Sequence, residues 1–187
     1  SMVTNRLIDP MVATPREIML AIDKYYGNAE ALKAANTYEL ERGDLFRDDE
    51  LESMINDDVM NSPIVQLVNG MLEQAVRQRA SDIHIEALEK KVRVRYRIDG
   101  ALYERITYNI KLLPAIIARL KITGGMDISE KRKPQDGRIT TFVDGREYDI
   151  RVSILPTVYG EKAVIRITNK NALTKNKSDL GFNEHDL

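Results

Sequence analysis

Residues 91–100, KVRVRYRIDG, alternate strictly: Val92, Val94, Tyr96 and Ile98 share one parity, while Arg93, Arg95 and Arg97 share the other. A period of two places one set of side chains on a buried face and the other in water, which defines a half-buried β-strand. Three cations on the wet face must be answered either by carboxylates on a neighbouring strand or by an anion from outside.

The same reading extends along the chain. A cap-then-proline pair, Ser62–Pro63, precedes Ile64, Leu67, Val68, Met71, Leu72, Ala75 and Val76, an apolar stripe that predicts a helix over 63–79. Strands are expected near 82–88 and 91–98, and a helix near 112–123 ending at Gly124–Gly125. Three further strands follow near 137–143, 146–154 and 161–168. Asp144–Gly145 suits a type I′ hairpin turn. The order predicts an α+β domain: an antiparallel sheet with helices packed on one face. Period two selects Ile83, Ile85, Val94, Tyr96, Ile150, Val152 and Ile165 for its core.

Upstream, Thr14, Pro15 and Glu17 form a helix-start signal, and Gly27 a stop, for a helix over 15–26. One such helix is no domain, so residues 1–27 read as the end of a preceding unit, apart from the main core. Residues 28–61 read as a partly helical, acidic and solvated linker.

Composition bounds the function. Lys and Arg number 28 against 29 Asp and Glu, and this balance argues against a general nucleic-acid binder. There is no Cys, hence no disulfide framework and no thiolate zinc site; a cytoplasmic setting is expected. No metal site is expected. His84 and His185 are far apart in sequence, and His84 reads as a surface or hydrogen-bonded residue. The acidic linker lacks the glycine-turned spacing of a calcium loop. Neither a G-x-x-x-x-G-K-[ST] loop nor a G-x-G-x-x-G motif occurs, and no catalytic residue can be assigned.

Cross-strand register sorts the arginines. A first hairpin turning at Glu89–Lys90 sets Ile85 opposite Val94 and Ile83 opposite Tyr96. It also sets Glu86 opposite Arg93 and Asp82 opposite Arg97, two structural ion pairs, and leaves Arg95 facing His84 as the odd one out. A turn at Asp144–Gly145 sets Ile139 opposite Ile150 and Arg138 opposite Arg151. A loop over 156–161 sets Val152 opposite Ile165 and Arg151 opposite Arg166. Arg138, Arg151 and Arg166 then form one row about 5 Å apart, and like charges directly opposite destabilise a sheet. The repulsion is roughly 1 kcal/mol per pair in water and about 3 kcal/mol at an effective dielectric near 20. An anion would complete such a row; Asp149 is the internal alternative.

The blocks RASDIHIEALEKKVRVRYRIDG, MDISEKRKPQDGRI, YDIRVSILPTVYGEKAVIRI and LGF, in this order and spacing, resemble the GspE/PulE/PilB-type ATPases of type II secretion and type IV pilus assembly. The resemblance covers about residues 62–182. It implies that 1–27 is the remnant of a first N-terminal domain and that 62–170 is a PAS-like second N-terminal domain. Residues 171–187 would be an exit linker toward a RecA-like domain absent from this sequence. It further implies that Arg151 in DIRVS and Arg166 in VIRI reach toward nucleotide phosphates on the RecA-like domain, with Arg138 a neighbour by register alone. Arginine suits that task because its planar fork matches phosphate oxygens. ATP and magnesium are thus expected for the full-length protein and no cofactor for this piece, which is expected to be inactive by itself. The expected partners are its own RecA-like domain, neighbouring subunits of a hexamer and inner-membrane platform proteins, with no nucleic acid. The full motor would be cytoplasmic and peripheral to the inner membrane. The competing classes are a free-standing PAS-like small-ligand sensor and a nucleic-acid adaptor; salt-sensitive oligonucleotide binding would mark the adaptor.

Overall fold

The computed structural model describes residues 11–15, 18, 21 and 62–170. Of the helix expected over 15–26, residues 15, 18 and 21 are helical, and the Ile18 amide donates to the Thr14 carbonyl at 3.0 Å. Ile18 is half exposed, apart from the core cluster. The rest of that helix, the linker expected over 28–61 and the exit segment expected over 171–187 lie outside the described residues.

The main domain runs α1 (Pro63–Arg77), β1 (Asp82–Ala87), β2 (Lys91–Ile98), β3 (Ala101–Asn109), a 3-10 turn (Ile110–Leu112), α2 (Leu113–Gly124), β4 (Gln135–Val143), β5 (Arg146–Thr157) and β6 (Gly160–Asn169). The strands form one antiparallel sheet in the order β3-β2-β1-β6-β5-β4. It is an α+β fold, as the element order predicted. Two meanders of three strands meet where β1 pairs with β6.

Two elements differ from the sequence reading. β3 was not anticipated, yet Asp99 and Gly100 precede it with φ values of 50° and 84°. These match the left-handed pair at Asp144 and Gly145, φ 49° and 74°, that turns the β4–β5 hairpin. Both are the Asp-Gly chemistry a tight hairpin requires. β3 lacks clean alternation, because a bulge shifts its register between Val94 and Arg95. The loop expected over 156–161 is tighter, with Thr157 paired to Gly160.

The seven residues selected for the core are each at most 1% exposed. They join both helices in one cluster, and fully burying such a side chain contributes roughly 1.5–3 kcal/mol. Polar pins fix the layers. The buried Tyr96 hydroxyl donates to the Met71 carbonyl at 2.9 Å, fastening α1 to β2. Lys121, 1% exposed, reaches Glu161 and the Glu130 carbonyl, each at 2.7 Å, tying α2 to β6 and to the loop before β4.

α2 packs closely on β4 at one point. A Cβ on Gly137 would lie 2.6 Å from the Gly124 carbonyl oxygen and 2.9 Å from the Met126 methyl. Gly70, within α1, has nothing within 4 Å of its Cβ position. Gly137→Ala should therefore destabilise the domain by roughly 1–3 kcal/mol through overpacking. Gly70→Ala should stabilise it by about 0.4–1 kcal/mol through helix propensity and a less free unfolded chain. Urea unfolding of both variants checks the pair; equal effects would contradict the close approach.

Candidate functional site

The side chains of alternate parity cover the sheet face opposite the helices. Along one line of this face the backbone register places Arg138 opposite Arg151, Arg151 opposite Arg166, Arg166 opposite Asp82 and Asp82 opposite Arg97. The register places the three arginines Arg138, Arg151 and Arg166 on adjacent strands.

Their surroundings are unequal. Asp82, 8% exposed, lies between two cations: Arg166 Nε stands 3.2 Å from one carboxylate oxygen and Arg97 Nε 3.2 Å from the other. The Ser81 hydroxyl also donates to it at 2.9 Å. Arg138 and Arg151 have a looser anchor, with Nε atoms 3.6 and 3.9 Å from the two oxygens of Asp149. Four guanidinium groups thus share two carboxylates, and the row keeps an excess of positive charge. Arg138, Arg151 and Arg166 have side chains 64–72% exposed, against 27–35% for Arg93, Arg95 and Arg97. The solvent-facing end of the row is therefore the end formed by β4, β5 and β6.

β2 behaves otherwise. Arg93 donates from Nε to Glu86 at 2.9 Å, and Arg95 Nη2 stands 2.5 Å from the other oxygen of the same carboxylate. The expectation that Arg95 is the odd one out is thus overturned: it reaches diagonally to Glu86, and Glu104 of β3 lies opposite it. His84, half-buried beside these cations, has its pKa pushed below the ordinary 6.5, by burial first and then by Arg97. It adds no charge to the face at neutral pH. Among the described residues no group of three or more His, Cys, Asp or Glu is placed to hold a metal ion.

Two features of the site escaped the sequence. Asp82 joins the row only through the β1–β6 pairing, between strands far apart in sequence, which no hairpin signal announces. Glu104 lies on the unanticipated β3.

The sheet of two antiparallel meanders, helices on one face and an arginine row on the other, defines an α+β domain with a cationic surface. Comparison with known proteins places it further. The sequence model of the type II/IV secretion system protein family matches residues 57–187. The type IV pilus assembly ATPase PilB of Myxococcus xanthus is 43% identical over 188 residues, covering 96% of this chain and 32% of that protein. Type II secretion system protein E of Xanthomonas campestris pv. campestris is 40% identical over 171 residues, 91% of this chain and 30% of that protein. Type II secretion system ATPase E of Vibrio cholerae is 42% identical over 135 residues, 70% of this chain and 27% of that protein. The chain belongs to the type II/IV secretion system protein family. It spans about a third of the length of these relatives. Among the described residues, no helix is long and apolar enough to cross a membrane.

The two carboxylates that hold the inner arginines have shifted pKa values. Burial alone would raise the pKa of Asp82, but the Ser81 hydroxyl, Arg166 and Arg97 outweigh it and hold the group below the ordinary 3.8. Glu86 is likewise held below 4.5 by Arg95 and Arg93 against burial. A carboxylate with a depressed folded pKa contributes stability that is complete above its ordinary value and lost as pH falls through the depressed one. Asp82→Asn should cost roughly 1–3 kcal/mol at pH 7. It should also flatten the loss of stability below about pH 4 relative to the unaltered chain. Denaturant unfolding at pH 7 and pH 3 checks this; parallel losses in both proteins would contradict the anchoring role of Asp82.

Proposed function

We propose that this chain is a coupling part of a hexameric traffic ATPase of type IV pilus assembly or type II secretion. In this reading residues 62–170 are a PAS-like second N-terminal domain, residues 1–27 the end of a first, and 28–61 and 171–187 linkers. The domain closes on a RecA-like ATPase domain of the full-length protein, and Arg151 and Arg166, with Arg138 beside them, meet the phosphates of nucleotide held there with magnesium. Neighbouring subunits and inner-membrane platform proteins are the partners to which closure is transmitted. ATP turnover belongs to the full-length protein, and the arginines complete its site. The relatives named for pilus assembly and for secretion are alike in similarity, so the reading is made at the level both share.

The single observation that carries it is the excess of exposed guanidinium charge on adjacent strands. A row of like charges costs folding free energy by itself, and a polyanion meeting it recovers that cost. The geometry also ranks the arginines. Among the described residues Arg151 has only the long contact to Asp149, whereas Arg166 shares the buried Asp82. Arg151 is therefore the freer to turn toward phosphate, and Arg166 carries a structural duty as well. Family membership favours this reading over a free-standing sensor or a nucleic-acid adaptor.

In the full-length protein, Arg151→Ala and Arg166→Ala should lower kcat, with a smaller change in KM, since ground-state affinity rests mainly on the phosphate loop. An arginine acting on a transferring phosphoryl group can be worth about 10³–10⁵ in rate, an upper bound where two share the task. Arg166→Ala should in addition lower stability through Asp82. Arg93→Ala should cost modest stability through Glu86 and leave kcat unchanged. Steady-state kinetics on folded, hexameric variants checks this; wild-type kcat in both Arg151→Ala and Arg166→Ala would refute the phosphate role.

A further inference from the structure

A second cationic feature lies away from the arginine row, where the end of α1 meets the β4–β5 turn. A cleft of about 700 Å³ opens there, with an apolar floor that includes Val76, Ala80, Tyr148 and Ile167. Its rim holds Arg77, Arg79 and Arg146 against Asp144. Arg77 is answered at 3.4 Å by Glu73 and at 3.3 Å by Asp144. Arg79 and Arg146 are exposed, with no carboxylate partner among the described residues.

The backbone of Arg79 is informative. α1 ends in a Schellman motif: the Ala80 amide donates to the Ala75 carbonyl and the Arg79 amide to the Val76 carbonyl, both at 2.9 Å. Arg79 occupies the left-handed position of that motif with φ 58°. Glycine is the usual residue there, and a bulky side chain costs of order 1 kcal/mol. A local rule broken in this way, with the offending cation at the rim of an apolar cleft, marks a place where the cation has another task.

We propose that this cleft receives residues 178–187 of the same chain, SDLGFNEHDL. The sequence is complementary: Asp179, Glu184 and Asp186 supply carboxylates, Leu180 and Phe182 supply apolar side chains, and there is no Lys or Arg. Asn169 lines the cleft, so the chain leaves β6 from its wall. Leu180 follows by about eleven residues, a reach of up to roughly 36 Å, which is ample for a return. Docking here would couple the exit segment to the end of α1, on the helix side of the sheet, and it does not depend on the phosphate role of the opposite face.

The chain has no cysteine, so Asn183→Cys accepts a single nitroxide in the 187-residue chain. Paramagnetic broadening of backbone amide signals is then read in the ¹⁵N-labelled chain. The expected result is selective broadening at Arg79, Val143 and Arg146, lost in the Arg79→Glu/Arg146→Glu double variant and in Leu180→Ala/Phe182→Ala, with the other amide signals unshifted. A mixture of ¹⁵N chain without nitroxide and unlabelled chain with it should show no broadening. Broadening in that mixture would assign the cleft to a second copy and overturn the proposal. So would broadening no greater at these amides than at Val158, at the far end of β5, or broadening that survives both double variants.

Discussion

The pairing of β1 with β6 is the contact on which the rest of the molecule depends. Without it the sheet is two separate three-stranded meanders, and both the core and the charged row are cut in two. The pairing sets Ile83 opposite Ile165 and Ile85 opposite Ala163 at the centre of the core, and the Ile167 amide donates to the Ser81 carbonyl at 2.9 Å. On the other face it sets Asp82 against Arg166. One register therefore decides both the continuity of the core and the charge balance of the candidate site. A slip by one residue would turn Ile83 and Ile85 toward the wet face and Asp82 and His84 toward the apolar core.

The arginines on the wet face fall into two energetic classes. Glu86 accepts from Arg93 and Arg95, while Asp82 accepts from Arg166 and forms an ion pair with Arg97. These hold the β2–β1–β6 part of the sheet. Toward β5 and β4 the pairing loosens: Arg151 and Arg138 share Asp149 at distances beyond a good hydrogen bond and extend into solvent. The arginines are thus closely paired on one side of the sheet and loosely paired on the other, which gives the proposed closure a direction.

Much of this was legible in local sequence. Period two along the strands and the three hairpin connections, at Glu89–Lys90, at Asp144–Gly145 and over 156–161, were sufficient to place every core residue named and to bring Arg138, Arg151 and Arg166 into one line, because hairpin registers follow from turn position and burial. What was not legible has two physical causes. β3 hides its alternation behind a bulge, although Asp99–Gly100 announces its turn with the same chemistry as Asp144–Gly145. The β1–β6 pairing is long-range, set by packing under α1 and α2 and by no local signal, so the partnership of Asp82 with Arg166 and the place of Arg166 as the bridge between the two arginine classes emerged only in three dimensions.

The central claim is that the β4–β6 end of the arginine row faces nucleotide when the domain closes in the full-length protein. The most direct measurement is a structure of that protein with magnesium and a non-hydrolysable ATP analogue. The account predicts a closed subunit in which an Arg151 guanidinium nitrogen lies about 3 Å from a terminal phosphate oxygen, with Arg166 still in contact with Asp82. A closed, nucleotide-bound subunit with the helix-covered face toward the phosphates, or with Arg151 in open solvent, would contradict it.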